Sequence, residues 1–447
     1  MSTVVSRNLM TEGDYRRVII RFAIPVFIGN LFQQFYNTAD SLIVGNLLGP
    51  NALAAVTSTG SLIYLLIGFF MGFSTGAGII IARRIGAGDR ELTSRAVHTD
   101  AAMGLIFSLI MTGVGVLCSP LFLKWMGTPA EVMSDAALYL RIYFGGSSAL
   151  IMYNTFVGIL QASGDSRHPL YYLICSSLIN IVLDVLFIAV FHMGVDGAAL
   201  ATVISEVISA LLVMRRLMIT DESTHLYLNR IRVHMEDLRE IVRYGLPTAV
   251  QACMIDIGNI AVQSYINSFG RLAMAGIGAY QRVEGFSFLP VNAFSMALST
   301  FVSQNLGAGK KDRMRQGIRF GILGCIIMIE AVGVLLYLFA PVMIRAFNQD
   351  PDVIAFGSGR AHVCSLFFFL LGFSHVTSAV MRGVGRPKAP MFVMLICWCA
   401  VRVTVLFTVG RVFHNIYLTH WLYPLTWFLS SAVYLIYMKR LRSEGVL

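Results

Sequence analysis

The sequence predicts an all-α polytopic membrane protein with twelve transmembrane helices in two pseudo-symmetric six-helix lobes. Of its 447 residues, 56% are hydrophobic and 13% are charged, whereas soluble domains carry about 25% charged residues. Twelve apolar segments reach the roughly 20 residues that a spanning helix needs. They centre near positions 30, 66, 108, 148, 181, 207, 254, 290, 329, 371, 400 and 427. Helices are expected because lipid leaves an open backbone without hydrogen-bonding partners, and the alternating pattern of a membrane β-barrel is absent.

The second half of the chain repeats the first at a nearly constant offset. The segment ARRIGAGDR at 82–90 matches SQNLGAGKK at 303–311. Further matches at an offset of 221 or 222 are Pro25 with Pro247, Asn37 with Asn259, Pro120 with Pro341, Gly164 with Gly385 and Pro169 with Pro390. We therefore predict an N-lobe of helices 1–6 over 1–215, a cytoplasmic linker over 216–242 and a C-lobe of helices 7–12 over 243–447. Two parallel lobes suit alternating access to a substrate site between them.

The net charge of +10 follows the pattern of a membrane protein. Of the 34 Lys and Arg residues, 26 lie at the termini or in the loops that follow even-numbered helices. Six lie in the opposite loops, among them Arg360, while Arg282 and Arg402 lie inside spans. The positive-inside rule then places both termini in the cytoplasm and the chain in the cytoplasmic (inner) membrane. Basic loops facing anionic lipid explain the charge, so we predict the lipid bilayer and no nucleic acid as a partner.

Missing motifs make other function classes less favourable. The GAGKK loop lacks the GxxxxGK[ST] pattern of a phosphate-binding loop, so we expect no nucleotide cofactor and no direct use of ATP. The seven cysteines lack metal-ligand or redox spacing, so no structural metal is expected. An enzyme is not predicted because HExxH and nucleophile-elbow motifs are absent, although a membrane-embedded enzyme is the alternative from another class. A channel fits two quasi-equivalent lobes less well than a transporter does.

Helix 1 carries a polar face in an otherwise apolar span. Its polar residues at i, i+3, i+4 and i+7 are Gln33, Tyr36, Asn37 and Asp40, which is the spacing of one helical face. Pro25 and Gly29 lie further towards the N-terminus of the same helix. Proline removes a backbone hydrogen bond and kinks a helix. We therefore expect either a static kink or a hinge at Pro25 and Gly29.

Two further helices are expected to bring polar groups to Asp40. Asn180 and Asp184 lie one turn apart on helix 5, and helices 5 and 6 form a hairpin that turns near Met193. Asp184 precedes that turn by nine residues and Thr202 follows it by nine, so the two lie at about the same depth. Two carboxylates in a low dielectric do not both stay ionised without a proton or cation between them. The oxygen ligands suit H⁺ or Na⁺.

The repeat provides an internal comparison for these acids. Asp40 matches Val262, and Asp184 matches Val405. The second half is expected to form the same six-helix scaffold without either carboxylate. The two acids are therefore predicted to serve function rather than folding.

The second half contains another polar set, on helix 7. Asp256, Asn259 and Gln263 lie at i, i+3 and i+7, and with the helix 1 face they form our candidate substrate cavity. Arg282 on helix 8 is close enough in sequence to neutralise Asp256 or Glu284. The set is therefore either a second site or a structural ion pair.

Four segments resemble the multidrug and toxic compound extrusion (MATE) family of bacterial exporters. They are IPVFIGNLFQQFYNTADSLIVGNLLGPNALAAV at 24–56, IGAGD at 85–89, LQASGDSRHP at 160–169 and QNLGAGKKDR at 304–313. The resemblance implies a V-shaped, two-lobed fold with a central cavity. In the branch with an aspartate on helix 1, it implies a cation site at Asp40, Asn180, Asp184 and Thr202, and a bend at Pro25. Another branch uses a helix 7 glutamate, whose nearest counterpart here is the shorter Asp256.

The resemblance implies secondary active efflux of an amphipathic, cationic organic compound in exchange for H⁺ or Na⁺. We therefore expect a multidrug antiporter with a small-molecule substrate and no cofactor, working as a monomer. A lipid-linked oligosaccharide flippase of the same superfamily is the closest alternative, but its pyrophosphate calls for a strongly cationic cavity, and only Arg282 and Arg402 are expected within the spans. A major-facilitator transporter is less consistent because its basic motif between helices 2 and 3 is missing.

Overall fold

The computed structural model describes residues 10–128, 130–220 and 223–447, and it folds them into helices joined by short connections. We number the long helices α1 to α12. The first half contains α1 (Tyr15–Leu48), α2 (Pro50–Ala87), α3 (Arg90–Trp125), α4 (Ala130–Gly145 and Ser147–Ala162), α5 (Arg167–Val190) and α6 (Val195–Ile219). The second half contains α7 (Met235–Asn267), α8 (Arg271–Gly307), α9 (Lys311–Arg345), α10 (Pro351–Gly383), α11 (Lys388–Val412) and α12 (Tyr417–Ser443).

The twelve-helix prediction is confirmed, since each predicted centre falls inside the helix of the same number. Among the described residues, nine of these helices are long and apolar enough on their own to cross a membrane. A break at Gly146 divides α4 into two helical segments of 16 residues each. Helices α5 and α11 each contain a π-helical turn, at Leu186–Val190 and Leu395–Ala400.

The repeat is also visible in the helix boundaries. The first residues of α2, α3, α4 and α5 are matched by the repeat offset with those of α8, α9, α10 and α11. The matched glycine loops end α2 and α8, with Gly88 at φ 75° and Gly309 at φ 70°. Glycine is favoured there because a side chain is strained in this left-handed region. The interpretation of these loops as tight turns is therefore confirmed.

The chain forms two compact units. The first unit consists chiefly of Ile28–Ala249, and the second of Leu9–Phe27 together with Val250–Leu447. Each unit has its own apolar interior. The boundary within α1 falls between Pro25 and Gly29, and the boundary within α7 follows Pro247. The predicted lobes, 1–215 and 243–447 with a linker over 216–242, were defined by the repeat and stay a prediction.

Inside the first unit, α2 and α7 approach each other closely through small residues. A Cβ added to Gly72 would lie 2.5 Å from the Ala249 nitrogen, and one added to Gly76 would lie 2.5 Å from Gly245 Cα. The spacing of both pairs is small-xxx-small, which lets backbones meet in a membrane, where lipid provides little hydrophobic force between helices. This contact fixes the start of α7 against α2 within that unit.

The charged start of α7 is held by arginines of the same unit. Arg84 lies 2.9 Å from Asp237 and 2.8 Å from Glu240, and Arg95 lies 2.9 Å from Glu236. Arg84 and Asp237 are largely buried, so this ion pair is better protected from solvent than the one at Glu236. The most charged part of the predicted linker is therefore the beginning of a helix.

Candidate functional site

The first unit brings together the four residues predicted to bind a cation, which we call the acidic cluster: Asp40, Asn180, Asp184 and Thr202. The carboxyl groups of Asp40 and Asp184 lie within hydrogen-bonding reach of each other. Asn180 Nδ2 donates to Thr202 Oγ1 at 3.4 Å. With the oxygen and nitrogen of its amide exchanged, Asn180 instead donates to Asp184 Oδ2 at 2.8 Å and accepts from the Thr202 backbone N–H at 3.2 Å.

The α5–α6 hairpin explains how residues 22 positions apart meet. Helix α5 ends at Val190 and α6 begins at Val195, so Asp184 and Thr202 lie at matching depths on adjacent antiparallel helices. The turn includes His192 at φ 54°. A π-helical turn starts two residues after Asp184, and such turns are frequent at functional sites because they change the direction of neighbouring side chains.

Burial gives this cluster its chemistry. Asn180 and Asp184 are fully buried in the protein, and Thr202 is 9% exposed, while Asp40 is partly exposed. Two adjacent carboxylates with little water around them repel each other strongly unless a proton or a cation compensates. Asp184 Oδ1 has no hydrogen-bonding partner among the described residues. The available ligands are all oxygens, which fits a proton or a hard cation such as Na⁺.

Two further side chains join the acidic cluster. The Tyr36 side chain lies beside Thr202 and interacts electrostatically with Asp40 and Glu206. Tyr36 is also one of the residues predicted to line the substrate cavity. Glu206 lies one turn after Thr202 on α6, and its Oε2 has no hydrogen-bonding partner in the described part of the chain. Thr202 and Glu206 have i, i+4 spacing on α6. This spacing predicts that the Glu206 carboxyl group lies on the same helical face as Thr202, next to the acidic cluster.

Tyr139, on α4, is a functional candidate that the sequence analysis missed. It is 6% exposed and interacts electrostatically with Tyr36. An isolated tyrosine in an apolar segment gives no sequence signal of this kind. Its position extends the oxygen-rich region from α1, α5 and α6 to α4.

The remaining predicted residues of α1 do not join this cluster by any described contact. Gln33 is exposed, and Asn37 accepts a hydrogen bond at its backbone carbonyl from Ser41 at 2.9 Å. A Cβ added to Gly29 would lie 3.6 to 3.7 Å from leucine side chains of α5. Pro25 lies inside α1, which is helical on both sides of it. Their roles in the cavity and the hinge stay predictions.

The helix 7 set is not brought together as a group. Asp256 is exposed, and Gln263 donates to Asn267 at 2.9 Å. Asn259 Oδ1 instead accepts from Arg402 Nη1 at 2.8 Å. Arg282 is also exposed and forms neither suggested ion pair with the acids that the structure describes. The pairing suggested for Arg282 is therefore wrong.

Arg360 was predicted to lie in a loop, and this is also wrong. It lies within the first segment of α10 and is fully buried, as Arg402 is in α11. The guanidinium carbon of Arg360 lies 4.4 Å from the centre of the Tyr423 ring, and that of Arg402 lies 4.1 Å from the same point. The second unit therefore contains two buried arginines over one aromatic ring.

Both halves of the chain match a known protein family. The MatE family model matches the chain twice, over residues 25–186 and 247–408. The chain belongs to the MatE family. The two MatE matches begin at Pro25 and Pro247, which the internal repeat had already paired. This MatE chain is a multi-pass membrane transporter of small molecules.

The relatives of this MatE chain match it over most of its length. It is 29% identical to the probable multidrug resistance protein YpnP of Bacillus subtilis, over 88% of each chain. It is 26% identical to the probable multidrug resistance protein NorM of Thermotoga maritima, over 92% of this chain and 89% of NorM. A solved outward-facing MATE transporter of the MOP superfamily has the same fold, with a TM-score of 0.92 at 24% identity, covering 100% of this chain and 99% of its own.

Proposed function

We propose that this protein is a secondary active multidrug efflux transporter that exchanges an amphipathic, cationic organic compound for H⁺ or Na⁺ by alternating access. The observation that carries the proposal is the contact between the Asp40 and Asp184 carboxyl groups beside Asn180 and Thr202. The names of the relatives, which refer to multidrug resistance, support the substrate class.

The coupling follows from the charge of the two carboxyl groups. When Asp40 is charged, it is held to Asn180, Asp184 and Thr202 by hydrogen bonds or by a cation that it shares with Asp184. Protonation of Asp40 weakens this attachment and frees α1 to bend. Because Gln33, Tyr36 and Asn37 lie on the same helix, the cavity wall then changes. Substrate affinity and ion affinity must be linked reciprocally, as for any two coupled ligands.

The decisive experiment is substrate efflux from proteoliposomes with only one gradient imposed. A pH gradient or a Na⁺ gradient alone should drive efflux, and the effective gradient identifies the coupling ion. Ethidium, an amphipathic organic cation, is a suitable probe. Efflux that responds to neither gradient would contradict ion exchange.

We place both termini in the cytoplasm of the cell and expect a monomer. Single cysteines near Asn51, Thr128 and Asn348 should react with a membrane-impermeant maleimide in intact cells. Cysteines near Gly88, Glu236 and Gly309 should react only after the membrane is permeabilised, because the basic loops are retained inside. A cysteine-free background in which all seven native cysteines are replaced is the control. Labelling of the second group in intact cells would reverse the orientation.

Pro25→Ala should lower transport turnover several-fold and affect substrate binding less. The substitution restores a hydrogen bond of the α1 backbone and straightens the helix. Asp40 lies about 22 Å further along that helix, so bending at Pro25 transmits a change at the cluster to the rest of α1. Distances between spin labels on α1 and α5, measured at high and low pH, test this. An unchanged distance in the wild type together with normal transport by Pro25→Ala would make the kink purely structural.

A further inference from the structure

The second unit carries buried basic residues that the repeat matches with residues in or beside the acidic cluster. An offset of 221 matches Tyr139 with Arg360 and Thr202 with Tyr423, and an offset of 222 matches Asn180 with Arg402. We call these three residues of the second unit, Arg360, Arg402 and Tyr423, the arginine cluster. The two acids of the first unit have valines as their counterparts. The two units therefore carry charges of opposite sign in equivalent regions of the repeat, at different positions within them.

The two arginines differ in how well their donors are satisfied. Arg402 donates to Asn259 Oδ1 at 2.8 Å and to Thr426 Oγ1 at 3.2 and 3.3 Å. Arg360 is 0% exposed, yet none of its three guanidinium nitrogens has a hydrogen-bonding partner among the described residues. Its contacts are the faces of Tyr280 at 5.3 Å and Tyr423 at 4.4 Å. A buried guanidinium with five unsatisfied N–H donors is unfavourable without an acceptor.

The charges around the arginine cluster do not balance. Glu284 is the acid that interacts electrostatically with both arginines, but it forms no ion pair with either in the described part of the chain, and it accepts a hydrogen bond from Tyr280 at 3.0 Å. His420 interacts with Arg360, and both of its ring nitrogens also lack partners. The Cys364 thiol lies within hydrogen-bonding reach of Arg360, but sulfur is a weak acceptor and a thiol carries no charge, so it does not satisfy the guanidinium. Two buried cations therefore face one carboxylate, which leaves an excess of one positive charge.

We propose that the arginine cluster binds a small monovalent inorganic anion such as chloride. The anion accepts hydrogen bonds from the unsatisfied nitrogens of Arg360 and cancels the excess charge. Because both arginines are fully buried, the site excludes a large organic anion. It is independent of the acidic cluster, so its failure would leave the proposed ion exchange untouched.

The test is the thermal unfolding of the purified, detergent-solubilised protein at constant ionic strength. Replacing sodium gluconate by sodium chloride should raise the unfolding midpoint, by roughly 1–2 °C for each tenfold increase in chloride above its dissociation constant. Sodium acetate forms a third arm. Stabilisation by acetate without stabilisation by chloride would assign the cluster to a carboxylate group and overturn the halide proposal.

Two arginine variants and crystals grown in bromide provide further tests of the proposed anion site. Arg360→Gln should remove the dependence on chloride, whereas Arg282→Gln, which changes an exposed arginine of the same unit, should keep it. If Arg360→Gln does not fold, wild-type crystals grown in bromide give the answer through anomalous scattering. A bromide peak beside Arg360 and Arg402 supports the site. No peak, together with equal unfolding midpoints in chloride and gluconate, rules it out.

Discussion

Asp40→Asn should reduce gradient-driven efflux to the background of protein-free liposomes, while the protein still inserts and folds. The amide keeps the shape of the side chain and its place beside Asp184. However, unlike the carboxyl group, it neither binds a proton nor carries a charge at the pH values at which transport is measured. The same loss is expected for Asp184→Asn, since in the proposed exchange the two carboxyl groups share one ion. The valines at the matched positions of the second half indicate that the scaffold tolerates the loss of either acid.

The measurement combines transport with equilibrium binding. Efflux should vanish, yet the substrate should still bind, because the ion is needed to cycle between states rather than to form the cavity. Wild-type affinity should change with pH or Na⁺, and the affinity of the variants should not. Asp256→Asn tests the alternative coupling site, since Asp256 is an exposed carboxylate on α7 of the second unit and a predicted residue of the substrate cavity. Normal efflux by both variants of the acidic cluster, with loss in Asp256→Asn, would move the coupling site to the second unit.

The fold followed from the sequence because a bilayer leaves few alternatives. Lipid requires complete backbone hydrogen bonding within each span, so apolar length alone locates the helices. The repeat then set their boundaries, since the starts of α2 to α5 recur at one constant offset in α8 to α11. The break at Gly146 and the π-helical turns were not predicted. These depend on how neighbouring helices pack, which composition does not specify.

The site was partly predictable for a similar reason. The hairpin between α5 and α6 fixes the relative depth of Asp184 and Thr202, which can be counted from the turn. The rotation of each helix about its axis depends on tertiary packing. The contact between Tyr36 and Thr202 therefore could not be predicted by counting residues from the turn. Glu206 was recognised only as an acid within a span.

Arg360 shows where the repeat should have been used further. The segment from Pro351 to Arg360 contains two glycines, a serine and Asp352, and its low hydropathy favours a loop. In the structure, the repeat offset matches the start of α10 at Pro351 with the start of α4 at Ala130, and it matches Arg360 with Tyr139 inside these two helices. Local composition was less informative here than the internal symmetry.

Gly76→Ala should lower the yield of folded protein several-fold, because it separates α2 from α7. Its new Cβ would lie 2.5 Å from Gly245 Cα, and this neighbour is backbone that cannot rotate away. Overpacking of this kind costs about 1–3 kcal/mol. Alanine otherwise favours a helix over glycine by roughly 0.5–1 kcal/mol, so the clash has to outweigh that gain.

Gly68→Ala provides the matched control on the same helix. A Cβ added to Gly68 meets no atom of the described residues within 4 Å, so only the gain in helix propensity remains and the protein should be unchanged or slightly more stable. The readouts are the monodisperse fraction in fluorescence-detected size exclusion and the unfolding midpoint in detergent. Opposite signs for two identical substitutions two turns apart would locate the effect in the contact between helices. Equal behaviour of both variants would mean that α2 and α7 do not meet through Gly76 in the membrane.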